Sequence, residues 1–475
     1  MTAWTFAHAR DYGFAQDDWT ALARVRGLAP APPPLWRWLS QQACWRLVAG
    51  PLGADARTAH TLAVAALAAC SALLGGLLAR RVRPAAALVG GAYFAAHFAL
   101  FHEGYWLSAS GDTFALLCSL LAAAACAAGG AARWAALPAF ALALGAKESA
   151  IALPLALGVA ACAVDDSRAR FAALVRDPLA WALAALAVAW ALVVRVPAAG
   201  GALGGEAYAF SPRAIGPNLQ TYAAWAANCW WPTLRDIGDA VAPKQFAWGL
   251  GLLGAGLASA VVPATRARGA AAAFAAFVLL LAPVLPLASH TYHYYLALPL
   301  AALAWWVAVL LDTALAAAPA ALAWTAGGAL AAAIAWNGHA IARNVERLPW
   351  RDNGQRSEAI MDRALIAERA LADLRAHGLA PDATVVFWSP QSQAIAAQEG
   401  KDPAQESYDE HNFRAALAEG LAARVALPNV REVRFARAFA PASATEWWAI
   451  YRPEGRLRVM RADTLAAVLA AGPPR

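Results

Sequence analysis

Long apolar runs alternate with short charged turns along most of the chain. The runs occupy residues 59–79, 84–101, 113–128, 134–146, 149–164, 179–194, 246–262, 270–288, 295–311 and 320–336. Most approach the ~20 residues an α-helix needs to cross a bilayer. The run 134–146 is short and ends on Lys147-Glu148. It predicts either a half-buried helix or one whose charged end is drawn into the membrane. Ahead of the runs, 35–48 sets Leu35, Trp36, Leu39, Trp45 and Val48 among Arg37, Gln41, Gln42 and Arg46. That is the pattern of a Trp-rich amphipathic helix in the headgroup region. After Trp336 the pattern turns soluble, predicting helices over 355–377, 412–427 and 464–471 and strands over 384–388, 433–439, 447–451 and 457–461. The expected fold class is an all-α polytopic membrane protein of ten visible spans with a small C-terminal α/β domain. Its expected divisions are an outer loop 1–58, a membrane core 59–337 and a soluble domain 338–475.

Composition agrees. The 475 residues are 61% hydrophobic and 15% charged, where soluble domains carry about a quarter charged residues. The net charge of +7 would suit nucleic acid or anionic lipid, but the arginines fall in turns between runs, which makes it a matter of topology. Arg80, Arg81 and Arg83, then Arg133, then Arg168, Arg170 and Arg176, then Arg266 and Arg268 all fall on one side of the alternation, the expected cytoplasmic side. The turns 102–112, 147–148, 197–245 and 289–294, with everything before 59 and after 336, then share the outer face. The chain opens on Met1-Thr2-Ala3-Trp4 with no signal peptide or first span to carry 1–58 outward, so an upstream helix is expected, making eleven spans. The bias to Ala, Leu and Arg looks like that of a GC-rich bacterial gene, and the expected placement is a bacterial inner membrane with the outer face periplasmic. Cys70, Cys118, Cys126 and Cys162 lie inside runs, Cys44 and Cys229 read as free thiols, and no spacing is that of a metal site.

The chemistry-bearing residues collect on the outer face. They are the acidic pair Asp17-Asp18 between Phe14 and Trp19, then His102-Glu103, Trp106 to Asp112, Ala146-Lys147-Glu148-Ser149, and His290 to Tyr295. In this order, Phe14-Ala15-Gln16-Asp17-Asp18-Trp19, Trp106-Leu107-Ser108-Ala109-Ser110-Gly111-Asp112, Ala146 to Pro154 and His293 to Pro299 resemble the GT-C membrane glycosyltransferases. The nearest branch is that of the protein O-mannosyltransferases and the tetratricopeptide-bearing O-mannosyltransferases, over Asp11 to about Trp336. The resemblance implies inverting transfer of a sugar from a polyprenyl-phosphate carrier to an acceptor hydroxyl of a glycan, lipid or protein on the outer face.

It makes Asp17 the base, with Asp18 second for acceptor, metal or backup. One carboxylate suffices, because a phosphate leaving group needs a nearby cation and no proton. The relatives carry Arg where this chain has Ser110, and Glu-Arg where it has His293-Tyr294. Lys147, Arg213, Arg235, Lys244 and a protonated His293 are the candidates for the missing phosphate ligand. Glu148, His102, Glu103, Asp112 and Tyr295 complete the substrate-binding candidates, and Trp225, Trp230 and Trp231 either grip substrate or anchor the bilayer. No cofactor is assigned and a divalent cation stays open; His290 with His293 lacks a carboxylate partner for a metal. The rival functions are a flippase for a lipid-linked saccharide and a catalytically inactive envelope-assembly protein.

Overall fold

A computed structural model describes residues 1–163, 167–195, 209–228, 243–261, 265–288, 290–347, 358–402 and 405–471. The chain is mostly helical with a small C-terminal sheet. Among the described residues three helices are long and apolar enough to cross a membrane: Ala56–Ala79, Leu107–Ala128 and His293–Ala314. Two bent pairs, Pro84–Ala95 with Phe98–Tyr105 and Ala169–Arg176 with Pro178–Val194, raise the number to five if each is one span.

The predicted run 84–101 is thus broken, by 49°. The cause is a polar side chain inside it. His97 adopts an extended backbone, its Nδ1 accepts the Ala99 N–H at 3.1 Å, and its Nε2 lies 3.2 Å from the Ala226 carbonyl, which also accepts from the Tyr93 hydroxyl. Local side-chain hydrogen bonding of this kind competes with the helix ladder. The predicted helix 35–48 differs too: Arg37 takes a left-handed conformation (φ 44°) and helix begins only at Trp38. It packs onto the protein, since Ser40 donates to the Ala146 carbonyl at 2.6 Å and Trp45 is buried. Gly145 permits this approach; a Cβ there would collide with the Trp38 indole.

The C-terminal sheet comprises β1 Ala383–Trp388, β2 Val430–Ala436, β3 Trp447–Tyr451 and β4 Leu457–Arg461, in the order β2-β1-β3-β4. β1 runs parallel to both neighbours and β3–β4 is an antiparallel hairpin. One face packs with Ile366, Leu371 and Leu374 of the helix Ala359–Ala376, and the other buries Trp388 and Trp448 with Leu465 of Ala462–Ala471. The predicted helix 412–427 is two helices, Tyr408–Ala416 and Leu421–Ala426, because Ala418, Glu419 and Gly420 all have positive φ. Gly420 has no room for a side chain, since a Cβ would enter Val433. A helix over Ser392–Gln398 was not predicted.

The loop ahead of the first long helix is no separate layer. Phe14, Trp19, Leu22 and Trp45 share one apolar cluster with Ile366, Leu371 and Phe387, and Arg26 donates to the Val425 carbonyl. This cluster holds the acidic pair between the helical body and the C-terminal domain.

Candidate functional site

The acidic pair opens the helix Asp17–Val25, where two carboxylates in the first turn oppose the positive end of the helix dipole. Its members part at once. Asp18 is fully buried, and both of its oxygens are occupied: Oδ2 accepts the Ala15 N–H at 3.0 Å, and Oδ1 accepts the Ser108 N–H at 2.8 Å and the Ser108 hydroxyl at 2.7 Å. Burial pushes its carboxyl up to about 7, against the downward pull of the Ala15 and Ser108 donors. The expected role of Asp18 in acceptor or metal binding is therefore corrected: it pins the first loop to the turn that starts the helix Ser110–Ala128.

Asp17 is exposed to solvent, and no hydrogen bond or ion pair engages its carboxylate among the described residues. Protein still crowds it, which raises its carboxyl above the ordinary range, while the charges of Arg24, Arg363 and Arg37 pull it back. Arg24 lies seven residues along the same helix, on the same face at 3.6 residues per turn, and has no acidic partner among the described residues. Arg363 arrives from the C-terminal domain, donating to the Gln16 and Asn412 side chains.

Behind this group lies a buried ionic network whose pairings differ from those the sequence suggests. Lys147 and Glu148 do not pair with each other. Lys147 Nζ donates to Asp112 at 2.6 Å and stands 5.2 and 5.3 Å from the ring centres of Tyr295 and Tyr294. Glu148 is gripped through both oxygens by Arg37, with Nε at 2.7 Å from Oε2. The Arg37 guanidinium also sits 4.7 Å over the Trp36 ring. The extended backbone at Lys147, between the helix Ala136–Ala146 and the turn Glu148–Ala152, sends adjacent residues to different partners.

His102 and Glu103 are likewise divided. His102 Nε2 meets Glu358 at 2.8 Å, while Glu103 accepts the Thr113 N–H and hydroxyl. Glu358 caps Ala359–Ala376, and its carboxyl, raised by burial, is drawn lower on balance by His102. His293 stacks on His102 with centres 4.4 Å apart and meets Phe98 and Trp225; no carboxylate contacts it among the described residues. Four buried polar atoms, Glu103 Oε1, His102 Nδ1, His293 Nε2 and Trp106 Nε1, have no partner among the described residues. Buried groups of this kind are ordinarily satisfied by water or ligand.

Arg213 is exposed on the turn Pro212–Ala214, and no described contact joins it to the network. Arg235, Trp230, Trp231 and Cys229 lie outside the described residues, as does the side chain of Lys244. No group of three or more His, Cys, Asp or Glu is placed to hold a metal among the described residues. Arg24, Arg37, Arg363 and Glu358 were not named as site residues from the sequence. Only Arg24 carried a readable signal, its seven-residue spacing from Asp17. Arg37 falls in the segment whose pattern is that of an interfacial helix, and the other two belong to the C-terminal domain.

The chain matches no protein-family model, no curated protein and no solved structure.

Proposed function

We propose that this chain is a multi-pass membrane glycosyltransferase resembling the GT-C class, using a polyprenyl-phosphate sugar on the periplasmic face of a bacterial inner membrane. The observation that carries the reading is the exposed Asp17 carboxylate, unpaired among the described residues, beside Arg24, Arg37 and Arg363 and at the edge of the buried Lys147–Asp112 and Arg37–Glu148 pairs. A single unengaged carboxylate suits a base, and fixed cations beside it suit an anionic leaving group.

In this reading Asp17 takes the proton of the acceptor hydroxyl as its oxygen attacks the anomeric carbon from the face opposite the phosphate. The bond from that carbon to the phosphate oxygen breaks with its electron pair, and the phosphate leaves as an anion without needing a proton. Arg24 is the phosphate ligand best placed to replace the missing family arginine, because its charge is uncommitted among the described residues. Arg37 and Lys147 are already neutralised, so they hold the site's shape and lend only part of their charge. Asp18 keeps Asp17 aimed outward.

The test is a deletion strain complemented with wild type, Asp17→Asn or Arg24→Gln at equal membrane abundance, read by mass spectrometry of envelope glycolipids and glycoproteins. A hexose-sized or pentose-sized addition should return with wild type only, and Asp17→Asn should lower the transfer rate by about 10²–10⁴-fold. Restoration by Asp17→Asn would remove Asp17 as base and favour transport or scaffolding.

A further inference from the structure

A second site lies at the far end of the same helices. A cavity of about 480 Å³ opens between the last turns of Ala56–Ala79 and Ser110–Ala128, the helix Leu153–Ala161 and the start of Pro178–Trp190. Its volume falls within the ~300–1,000 Å³ of small-molecule sites. Asp112, in the ionic network, and Cys126, on the cavity wall, are roughly 21 Å apart along one helix at 1.5 Å per residue. The arginine-bearing mouth therefore lies away from the network, while the inner wall reaches Ser119, roughly 10 Å along the helix from Asp112, and Leu298, one turn from Tyr295.

The interior is apolar, with Leu77, Leu120, Leu157 and Leu183 on the walls, whereas the mouth carries Arg80, Arg81, Arg133 and Arg170. Arg133 is neutralised by Asp177 at 3.1 Å. Arg80, Arg81 and Arg170 are exposed and have no acidic partner among the described residues. An apolar slot under cations that are uncommitted among the described residues complements a molecule with a hydrocarbon tail and an anionic head. Basic pockets between spanning helices recognise anionic phospholipid headgroups in this way.

We propose that this cavity binds an anionic membrane phospholipid, its phosphate held by Arg80, Arg81 and Arg170 and an acyl chain lying between Leu77 and Leu183. The site rests on the membrane-spanning part of the reading above and not on its sugar chemistry. Arg133 takes little part in binding because Asp177 already holds its charge.

The full chain, purified in non-ionic detergent and stripped of lipid, would be titrated with phosphatidylglycerol or phosphatidylcholine and read by native mass spectrometry. Phosphatidylglycerol should be preferred. Glutamine at Arg80, Arg81 and Arg170 should weaken it about fivefold per arginine, leaving phosphatidylcholine unchanged. The double variant Arg133→Gln/Asp177→Asn, which removes the neutral pair together, should bind phosphatidylglycerol as wild type does, and Ala123→Trp, which fills the cavity, should weaken both lipids. Ala123→Trp also keeps the site testable if the triple variant fails to fold.

Equal binding of both lipids by wild type, or full retention by the folded triple variant, would overturn the inference. So would displacement of phosphatidylglycerol by polyprenyl phosphate at equal concentration, which would make the cavity a carrier site. Membrane fractionation is scored alongside: recovery of the chain in the soluble fraction sinks the membrane reading itself, whereas a membrane-bound chain without lipid preference sinks this site alone.

Discussion

The helical body and the C-terminal domain both hold ion pairs, yet the same chemistry has different weight in each. In the body, Lys147 and Asp112 meet at 2.6 Å with side chains only 6% and 5% exposed. In the domain, Arg456 and Asp373 meet at 3.3 Å with the arginine 62% exposed. Water screens the second pair and leaves it worth a few tenths of a kcal/mol, whereas desolvation makes the first expensive to break. Charges in the body collect at its two ends, the enclosed pairs at one and Arg80, Arg81, Arg133 and Arg170 at the other, while the domain spreads most of its charge over its surface and encloses a few carboxylates, Asp362 and Glu446 among them. The comparison teaches that charge density alone says little about function. Charge that protein has enclosed is the informative kind, and here it stands behind the exposed Asp17 carboxylate.

The largest stability effect that would break this comparison is expected at Lys147. Lys147→Met leaves Asp112 buried without its cation and should cost about 3–5 kcal/mol of stability in detergent. Adding Asp112→Leu should recover most of that loss. Transfer activity that returned along with stability would assign the pair a structural role only, and stability without activity would place Lys147 at the donor. Next comes Asp18, whose replacement by alanine leaves the Ala15 and Ser108 donors unanswered and should cost about 2 kcal/mol, measured by thermal unfolding.

The same residue sharpens the comparison through pH. The unfolded chain releases the Asp18 proton near 3.8 and the folded protein holds it to about 7, so the carboxyl's contribution is complete below pH 3.8 and lost as pH rises to about 7. Asp18→Asn should flatten that part of the stability curve; an unchanged slope would show that Asp18 does not titrate there. The smallest effect belongs to the domain: Arg456→Ala should shift stability by no more than about 0.5 kcal/mol, and a loss of several would mean that exposed pairs here are not screened.

Much of the architecture is legible from pattern alone. The strands 447–451 and 457–461 stand where the sequence puts them, and most apolar runs become helices, the form in which a long apolar segment satisfies its own backbone. Pattern fails where one polar residue intervenes. His97 captures the Ala99 N–H and breaks a continuous run, and three residues of positive φ around Gly420 divide one predicted helix into two. The pairings at the candidate site fail to be legible for a related reason: Lys147 and Glu148 are neighbours in sequence, but an extended residue turns them toward Asp112 and Arg37.

By itself, then, the sequence determined most of the helical segments and the acidic pair that opens the first loop, because those follow from periodicity and composition within a few turns of chain; the helices Ile215–Ala227 and Ser392–Gln398 it did not show. Only the tertiary structure decided that Asp17 faces solvent and Asp18 is enclosed, and that Arg37 and Glu358, distant in sequence, close on Glu148 and His102. Burial and ion pairing depend on what packs from elsewhere in the chain, and two adjacent carboxylates carry no local mark of which one will be shut in.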